Sequence, residues 1–236
     1  MRIVLKISGE LLAGESLFGI DFAVLHYIAH EIRPLIARKV EIGIVVGGGN
    51  MFRGATLQKV ERVTGDQMGM LATLINALAL RDIFIEEKIP AKILSAIPVP
   101  GVVAQYDRNL ALEYMAKGEV VFLAGGTGNP LVTTDTALGL RGIELKADLL
   151  LKATNVDGIY CSDPKKNPHA KFFAQLTYAE ALDKKLKVMD LAAFCLCQEY
   201  NMPLRVYNLR KTGALQRIIA GENEGTLVER TKELKN

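Results

Sequence analysis

Short apolar runs rich in Ile, Val and Leu recur along the chain at Ile3–Ile7, Val40–Val46, Ala91–Ile97, Glu119–Leu123, Asp148–Lys152 and Leu204–Tyr207. Runs of this length without polar alternation suit strands buried on both faces of a mostly parallel sheet. Between them the apolar period lengthens to that of helices. The first helix begins near Asp21, whose side chain can cap it, and places Leu25, Ile28, Ala29, Ile32, Leu35 and Ile36 on one face. Pro34 should kink or split it. A longer helix is expected from about Gly65 to Glu87, with Met68, Leu71, Leu74, Ile75, Leu78 and Ile85 inward and alanines at 72, 77 and 79 permitting a close neighbour, so that it is also a candidate subunit contact. Further helices are expected over about Asn109–Ala116, Thr134–Leu145, Thr177–Leu182, Asp190–Glu199 and Ala214–Ala220, and a last short strand at Gly225–Val228. This β-α alternation implies right-handed crossovers and a three-layer α/β/α sandwich with a mostly parallel central sheet, which directs ligands to the carboxyl ends of the strands.

Glycines stand at three of those ends: Lys6-Ile7-Ser8-Gly9-Glu10, Val45-Val46-Gly47-Gly48-Gly49-Asn50, and the segment Glu119–Asp135, which runs from a strand into Gly125-Gly126-Thr127-Gly128-Asn129-Pro130 and Thr133-Thr134-Asp135. Glycines let successive N–H groups turn toward one anion, and threonine hydroxyls beside a carboxylate add hydrogen bonds. The pattern is neither G-x-x-x-x-G-K-[ST] nor G-x-G-x-x-G, so the chain has neither a P-loop nor a dinucleotide fingerprint. Phosphoryl transfer then needs another cation. Lys6, set among Ile3, Val4, Leu5 and Ile7, is well aimed for that role; an edge-strand lysine reaching solvent is the alternative. Arg53, four residues past Gly49, could grip a phosphate with its fork or be a solvated loop residue. Asp66 lies at a predicted helix start, where capping and a ribose contact are both open. After the strand at Asp148–Lys152, the polar run Thr154-Asn155-Val156-Asp157-Gly158 leads to Tyr160 and Asp163, which suits a nucleoside pocket and equally a pair of turns.

At 236 residues, half of them hydrophobic, the chain can bury a sizeable core, and we read residues 1–236 as one domain. Its 29 basic and 26 acidic residues are dispersed, without a polybasic block, so nucleic-acid binding is not implied while anionic small substrates are favoured. Three cysteines, Cys161, Cys195 and Cys197, form no disulfide framework, and the last two read as small core residues. The first apolar run is too short for a signal peptide, and no stretch of about 18 apolar residues stands out as a membrane span; a cytoplasmic protein is expected. His26 and His30 have the spacing of a zinc pair but lack H-E-x-x-H and a third ligand.

These residues together resemble the bacterial UMP kinases of the amino acid kinase superfamily. The resemblance rests on KISGE at Lys6–Glu10, VVGGGNMFRG at Val45–Gly54, GDQMGMLAT at Gly65–Thr73, GGTGNPLVTTD at Gly125–Asp135, LLLKATNVDGIY at Leu149–Tyr160, LKVMDLAAF at Leu186–Phe194 and GTL at Gly225–Leu227. It implies transfer of the ATP γ-phosphoryl group to UMP, with Mg2+ carried on ATP rather than at a fixed protein site. An acceptor-binding part would lie mainly in 1–145 and an ATP-binding part in 146–236. Lys6 and Asp135 would be catalytic. Lys6, Ser8, Gly9, Gly49, Arg53, Thr154, Asn155, Tyr160 and Asp163 would bind ATP. Gly48, Asp66, Thr127, Gly128, Asn129, Pro130, Leu131, Val132, Thr133 and Thr134 would bind UMP. The resemblance further implies a homohexamer activated by GTP through Gly14, Glu15, Ser16, Leu17, Phe18 and Gly19, and inhibited by UTP. This chain departs from the family at Leu131-Val132, where two phenylalanines are usual, and at Pro34. A sibling kinase on another acceptor, or a non-catalytic nucleotide-binding regulator, would share the fold.

Overall fold

The computed structural model describes residues 1–16, 18–52, 59–186 and 188–230; Leu17 and Arg53, both named above, lie outside them. In chain order the elements are β1 (Arg2–Ile7), α1 (Gly9–Leu12), α2 (Phe22–Ala37), β2 (Glu41–Val46), α3 (Arg62–Glu86), β3 (Ala91–Ser95), β4 (Ala104–Gln105), α4 (Arg108–Ala116), β5 (Val120–Ala124) and α5 (Thr134–Glu144). There follow β6 (Leu149–Thr154), β7 (Ile159–Tyr160), β8 (Phe172–Phe173), β9 (Gln175–Thr177), α6 (Tyr178–Asp183), α7 (Leu191–Glu199), β10 (Leu204–Asn208), α8 (Ala214–Ile219) and β11 (Thr226–Glu229). Nine strands form one sheet in the order β4-β3-β5-β2-β1-β6-β10-β11-β9, parallel except for the β10–β11 pair. A small antiparallel pair, β7–β8, stands outside it.

Strand residues alternate between two cores. Ile3, Leu5 and Ile7 of β1, with Leu149, Leu151 and Ala153 of β6, pack under α1, α2, α3 and α8. Val4 and Leu150 face the other way, under α4, α5, α6 and α7. The period of two therefore sends Lys6 and Lys152 toward the α5 face. Parallel pairing sets these two lysines directly opposite one another on adjacent strands.

Several helix starts follow the sequence. Asp21, Asp107, Thr133, Thr177 and Asp190 each cap a helix with a side-chain oxygen. All eight helices among the described residues stop on a left-handed residue, at Gly14, Lys39, Lys88, Gly118, Lys146, Lys185, Asn201 and Gly221. In α2 to α8 the next N–H reaches back to the last turn, as Val40 does to Leu35 O and Ile89 to Phe84 O.

Four expectations need correction. Helix α2 runs unbroken through Pro34, whose missing N–H costs one bond while Leu25, Ile28, Ile32 and Leu35 hold both halves on the sheet. In α3, Leu71, Ile75 and Ile85 are exposed and not inward; the buried face is Ala72, Thr73, Leu74, Asn76, Ala77, Leu80, Ile83 and Phe84. That helix is apolar around most of its circumference, so periodicity could not select a face. It is also long and apolar enough to cross a bilayer by length and composition alone, although much of it is buried against the sheet. Cys195 is exposed while Cys197 is buried, since two residues apart on a helix face different ways.

Candidate active site

The loops after β1, β2 and β5 meet at the carboxyl edge of the sheet. Their approach is closer than side chains allow: a Cβ on Gly9 would lie 2.4 Å from the Gly49 nitrogen. Gly125 and Gly126 have φ of 75° and 59°, the left-handed region that favours glycine. Both features leave backbone N–H groups free of side-chain obstruction around one space.

Charge gathers beside these loops. Lys6 Nζ lies 3.2 Å from Asp135 Oδ1, and Lys152 Nζ lies 2.5 Å from Asp135 Oδ2. Lys152 also donates to the Val188 carbonyl. Asp135 is in the first turn of α5, where Thr133 Oγ1 accepts its N–H, and helix geometry delivers it to the face that the strand period gives both lysines. Burial works to raise the Asp135 pKa, yet the lysines outweigh it and hold the carboxyl below its ordinary value. For Lys152 burial dominates and lowers the pKa, Lys6 adding to the effect and Asp135 opposing it. A carboxylate so held is a counterion and not a base.

Three cavities adjoin this centre; one, about 430 Å³, is lined by Asp135, Lys152, Leu182, Lys185 and Phe194 among others, and the other two differ in size. The larger, about 600 Å³, is lined by Lys152, Thr154, Asn155, Tyr160, Cys161, Asp163, Lys185 and Val206 among others. The smaller, about 250 Å³, is lined by Gly48, Gly49, Phe52, Arg62, Asp66, Thr73, Thr127, Asn129, Val132, Thr133 and Thr134 among others. Ser8 precedes α1 without capping it through its side chain. Gly128, Pro130 and Leu131 belong to the same loop but do not line the smaller cavity; Leu131 is 65% exposed with φ of 71°. Gly14 and Glu15 line a separate cavity of about 330 Å³ with Asp21, Tyr27 and Arg210, while Ser16 and Phe18 are exposed and Gly19 bonds to Asn50. Another cavity, between Arg33 and Pro90, sits at the amino ends of the strands and shares no residue with this site.

Asp66 does not cap a helix, because α3 begins at Arg62 and places it in the second turn. Its carboxylate accepts the Leu131 N–H at 2.8 Å and bonds to Arg62 Nε. Burial works upward on its pKa, but these two donors bring it below the ordinary value.

Three residues escaped the sequence reading. Lys152 completes the charged centre, and its setting in an apolar strand was the same signal that singled out Lys6. Asp190 takes hydroxyl hydrogen bonds from Thr133 and Thr136 while capping α7, tying the β5–α5 loop to the far part of the chain. Arg62 lines the smaller cavity, with no sequence signal beyond its charge. His26 and His30 both approach Glu87, at 2.9 and 3.9 Å.

Paired cations bridged by one anion, with glycine loops between a large and a small cavity, define a phosphotransferase site. Residues 1–208 match the family model described as amino acid kinase family. The chain is 56% identical to the uridylate kinase of Coxiella burnetii, over 97% of this chain and 95% of that one. Its fold is similar to crystal structures of UMP kinases from Bacillus anthracis (TM-score 0.94, 36% identity, 98% and 96% of the two chains) and Ureaplasma parvum (0.91, 37%, 98% and 99%). The chain belongs to the amino acid kinase family, in its uridylate kinase branch.

Proposed function

We propose that the protein is a UMP kinase, transferring the γ-phosphoryl group of ATP to the phosphate of UMP to give UDP and ADP. The Lys6–Asp135–Lys152 bridge between the larger and the smaller cavity carries this reading. The larger cavity takes ATP, with Thr154 and Asn155 at the nucleoside, Tyr160 against the base and Asp163 at ribose or phosphate. Ser8, Gly9, Gly49 and Arg53 attend the phosphates. The smaller takes UMP, with Asp66 at the ribose, Gly48 beside it, and the loop Thr127–Thr134 around phosphate and uracil.

An acceptor phosphate oxygen attacks the γ-phosphorus in line, and the bond to the β-phosphate oxygen breaks. A phosphate monoester is largely dianionic at neutral pH, so no proton need be removed, in keeping with an Asp135 that serves as counterion. Lys6 and Lys152 stabilise charge spreading over the equatorial oxygens, and Asp135 fixes their spacing. Mg2+ would arrive on the triphosphate rather than at a fixed protein site. When bound there it neutralises charge on the β- and γ-oxygens.

Residues 1–236 act as one domain, 1–145 mainly for the acceptor and 146–236 mainly for ATP. The protein works in the cytoplasm as a homohexamer, activated by GTP at Gly14–Gly19 and inhibited by UTP. Exposed Leu71, Ile75 and Ile85 of α3 offer an apolar subunit contact. The test is an ADP-release assay with UMP, CMP, dUMP and acetylglutamate as acceptors. Activity with UMP well above the rest is expected, and preference for acetylglutamate would overturn the assignment.

A further inference from the structure

The face of α3 turned toward the sheet carries polar side chains where a core helix would ordinarily be apolar. Thr73 is 2% exposed and Asn76 is fully buried. Neither spends all its bonds on its own helix. Thr73 Oγ1 accepts the Gly125 N–H at 2.7 Å and donates to the Met70 carbonyl at 2.7 Å. Asn76 Nδ2 donates to the Gly47 carbonyl at 2.7 Å and to Asn50 Oδ1 at 2.7 Å, and Asn50 Nδ2 returns a bond to Asn76 Oδ1 at 2.9 Å. Gly125 is the first residue past β5, and Gly47 the first past β2. Three residues apart on a helix, Thr73 and Asn76 are neighbours on one face. Both loops are thus pinned to adjacent points of a rigid element, and two turns earlier Asp66 holds Leu131 N–H further along the loop after β5.

We infer that Thr73 and Asn76 are positioning residues for phosphoryl transfer, with α3 acting as the ruler that sets the acceptor loop at Gly125–Thr134 against the glycine loop at Gly47–Asn50, whose Gly48 and Gly49 line the smaller cavity and are assigned to acceptor and donor in turn. The inference rests on the proposed acceptor role of the first loop. Neither side chain takes part in bond making; each fixes where a loop leaves its strand. A satisfied core polar group would serve stability alone, whereas these bonds end on the two loops whose separation determines whether acceptor oxygen and phosphorus meet in line. Misplacement by about 1 Å is enough to cost two orders of magnitude in rate.

Thr73→Val keeps the shape of the side chain, removes the hydroxyl and leaves the Gly125 N–H without a partner. With both nucleotides saturating, kcat per folded enzyme should fall about ten-fold or more, while KM for ATP stays within about two-fold. Thr73→Ser, which keeps the hydroxyl, should restore kcat to within about three-fold. If Thr73→Val proves too unstable to assay, the ratio of Thr73→Ser to Thr73→Ala isolates the hydroxyl in the same way. A kcat for Thr73→Val within about two-fold of the parent, or Thr73→Ser as slow as the hydroxyl-free variant, would overturn the inference. Asp66→Asn, measured alongside, tests the underlying assignment separately: an unchanged KM for UMP there would sink the acceptor reading whatever the Thr73 series shows.

Discussion

Replacing Asp135 with asparagine keeps the shape of the carboxylate and removes the one charge that Lys6 and Lys152 share. Their side chains are only 10% and 14% exposed, and that of Asp135 13%, so water cannot take over its role. Breaking a buried ion pair by removing one partner costs about 3–5 kcal/mol, because the remaining charge is left uncompensated. In a chain of this size about 1 kcal/mol moves Tm by roughly 2–4 °C, which gives an expected loss of roughly 6–20 °C. The sign of the pH dependence follows from the two shifts. In the parent, Asp135 is held below its ordinary value, so its contribution is complete above the unfolded carboxylate pKa and is lost as acid titrates through the folded one. In the variant, Lys152 loses the neighbour that opposed its downward shift. Between its folded pKa and the ordinary lysine value the native state then binds fewer protons than the unfolded chain, and stability rises with pH. Part of the deficit should therefore be recovered as pH rises from neutrality toward the ordinary lysine value. ATP phosphates replace the missing anion, so the thermal gain on adding ATP should exceed that of the parent. Scanning calorimetry with and without ATP, at neutral and at alkaline pH, measures all three effects. A variant whose Tm lies within about 2 °C of the parent at neutral pH would refute the counterion argument.

The same coupling predicts an alkaline fall in kcat that sets in below the ordinary lysine pKa, as Lys152 loses its proton, and Lys152→Arg should move that limb upward; an unchanged pH–rate profile would count against it. Gly9→Ala drives a Cβ into the Gly49 nitrogen, and ATP affinity measured by calorimetry should fall roughly 5- to 150-fold, the equivalent of the roughly 1–3 kcal/mol that overpacking costs. Lys146→Gly relieves a left-handed φ of 54° at the end of α5 and should raise stability by roughly 0.5–1 kcal/mol in urea melts, with Lys146→Val moving it the other way.

Much of the fold was legible because its longer strands are short apolar runs and five of its eight described helices open on Asp or Thr. Strands β4, β7, β8 and β9, each of two or three residues, carry too little pattern to be read. The face of α3 was misassigned for a related reason: with apolar residues all round, only the sheet decides that Thr73 and Asn76 go in while Leu71 and Ile75 stay out. At the site, Lys6 was conspicuous as a charge in an apolar strand. Lys152 has the same setting in Leu149–Thr154, but its importance emerges only when parallel pairing puts it opposite Lys6. Asp190 could be read as a helix cap; that it also clasps Thr133, from a distant stretch of chain, is a tertiary fact no local pattern holds.

The left-handed helix ends have a consequence for how this scaffold can diversify. Helices α2, α3, α4, α5 and α7 return to the sheet through residues 38–40, 87–90, 117–119, 145–148 and 200–203, three or four residues each. Residues at these returns are buried, including Val40, Ile89, Ala147 and Met202. An inserted residue there would slip the following strand by one position and exchange its two faces. At the opposite edge, residues 125–133 join β5 to α5 and residues 161–171 join β7 to β8 through longer passages whose length does not set the register of the nine-stranded sheet. Insertion scanning should find tolerance concentrated at the nucleotide edge, where altered lengths change what is bound while the sheet beneath stays in step.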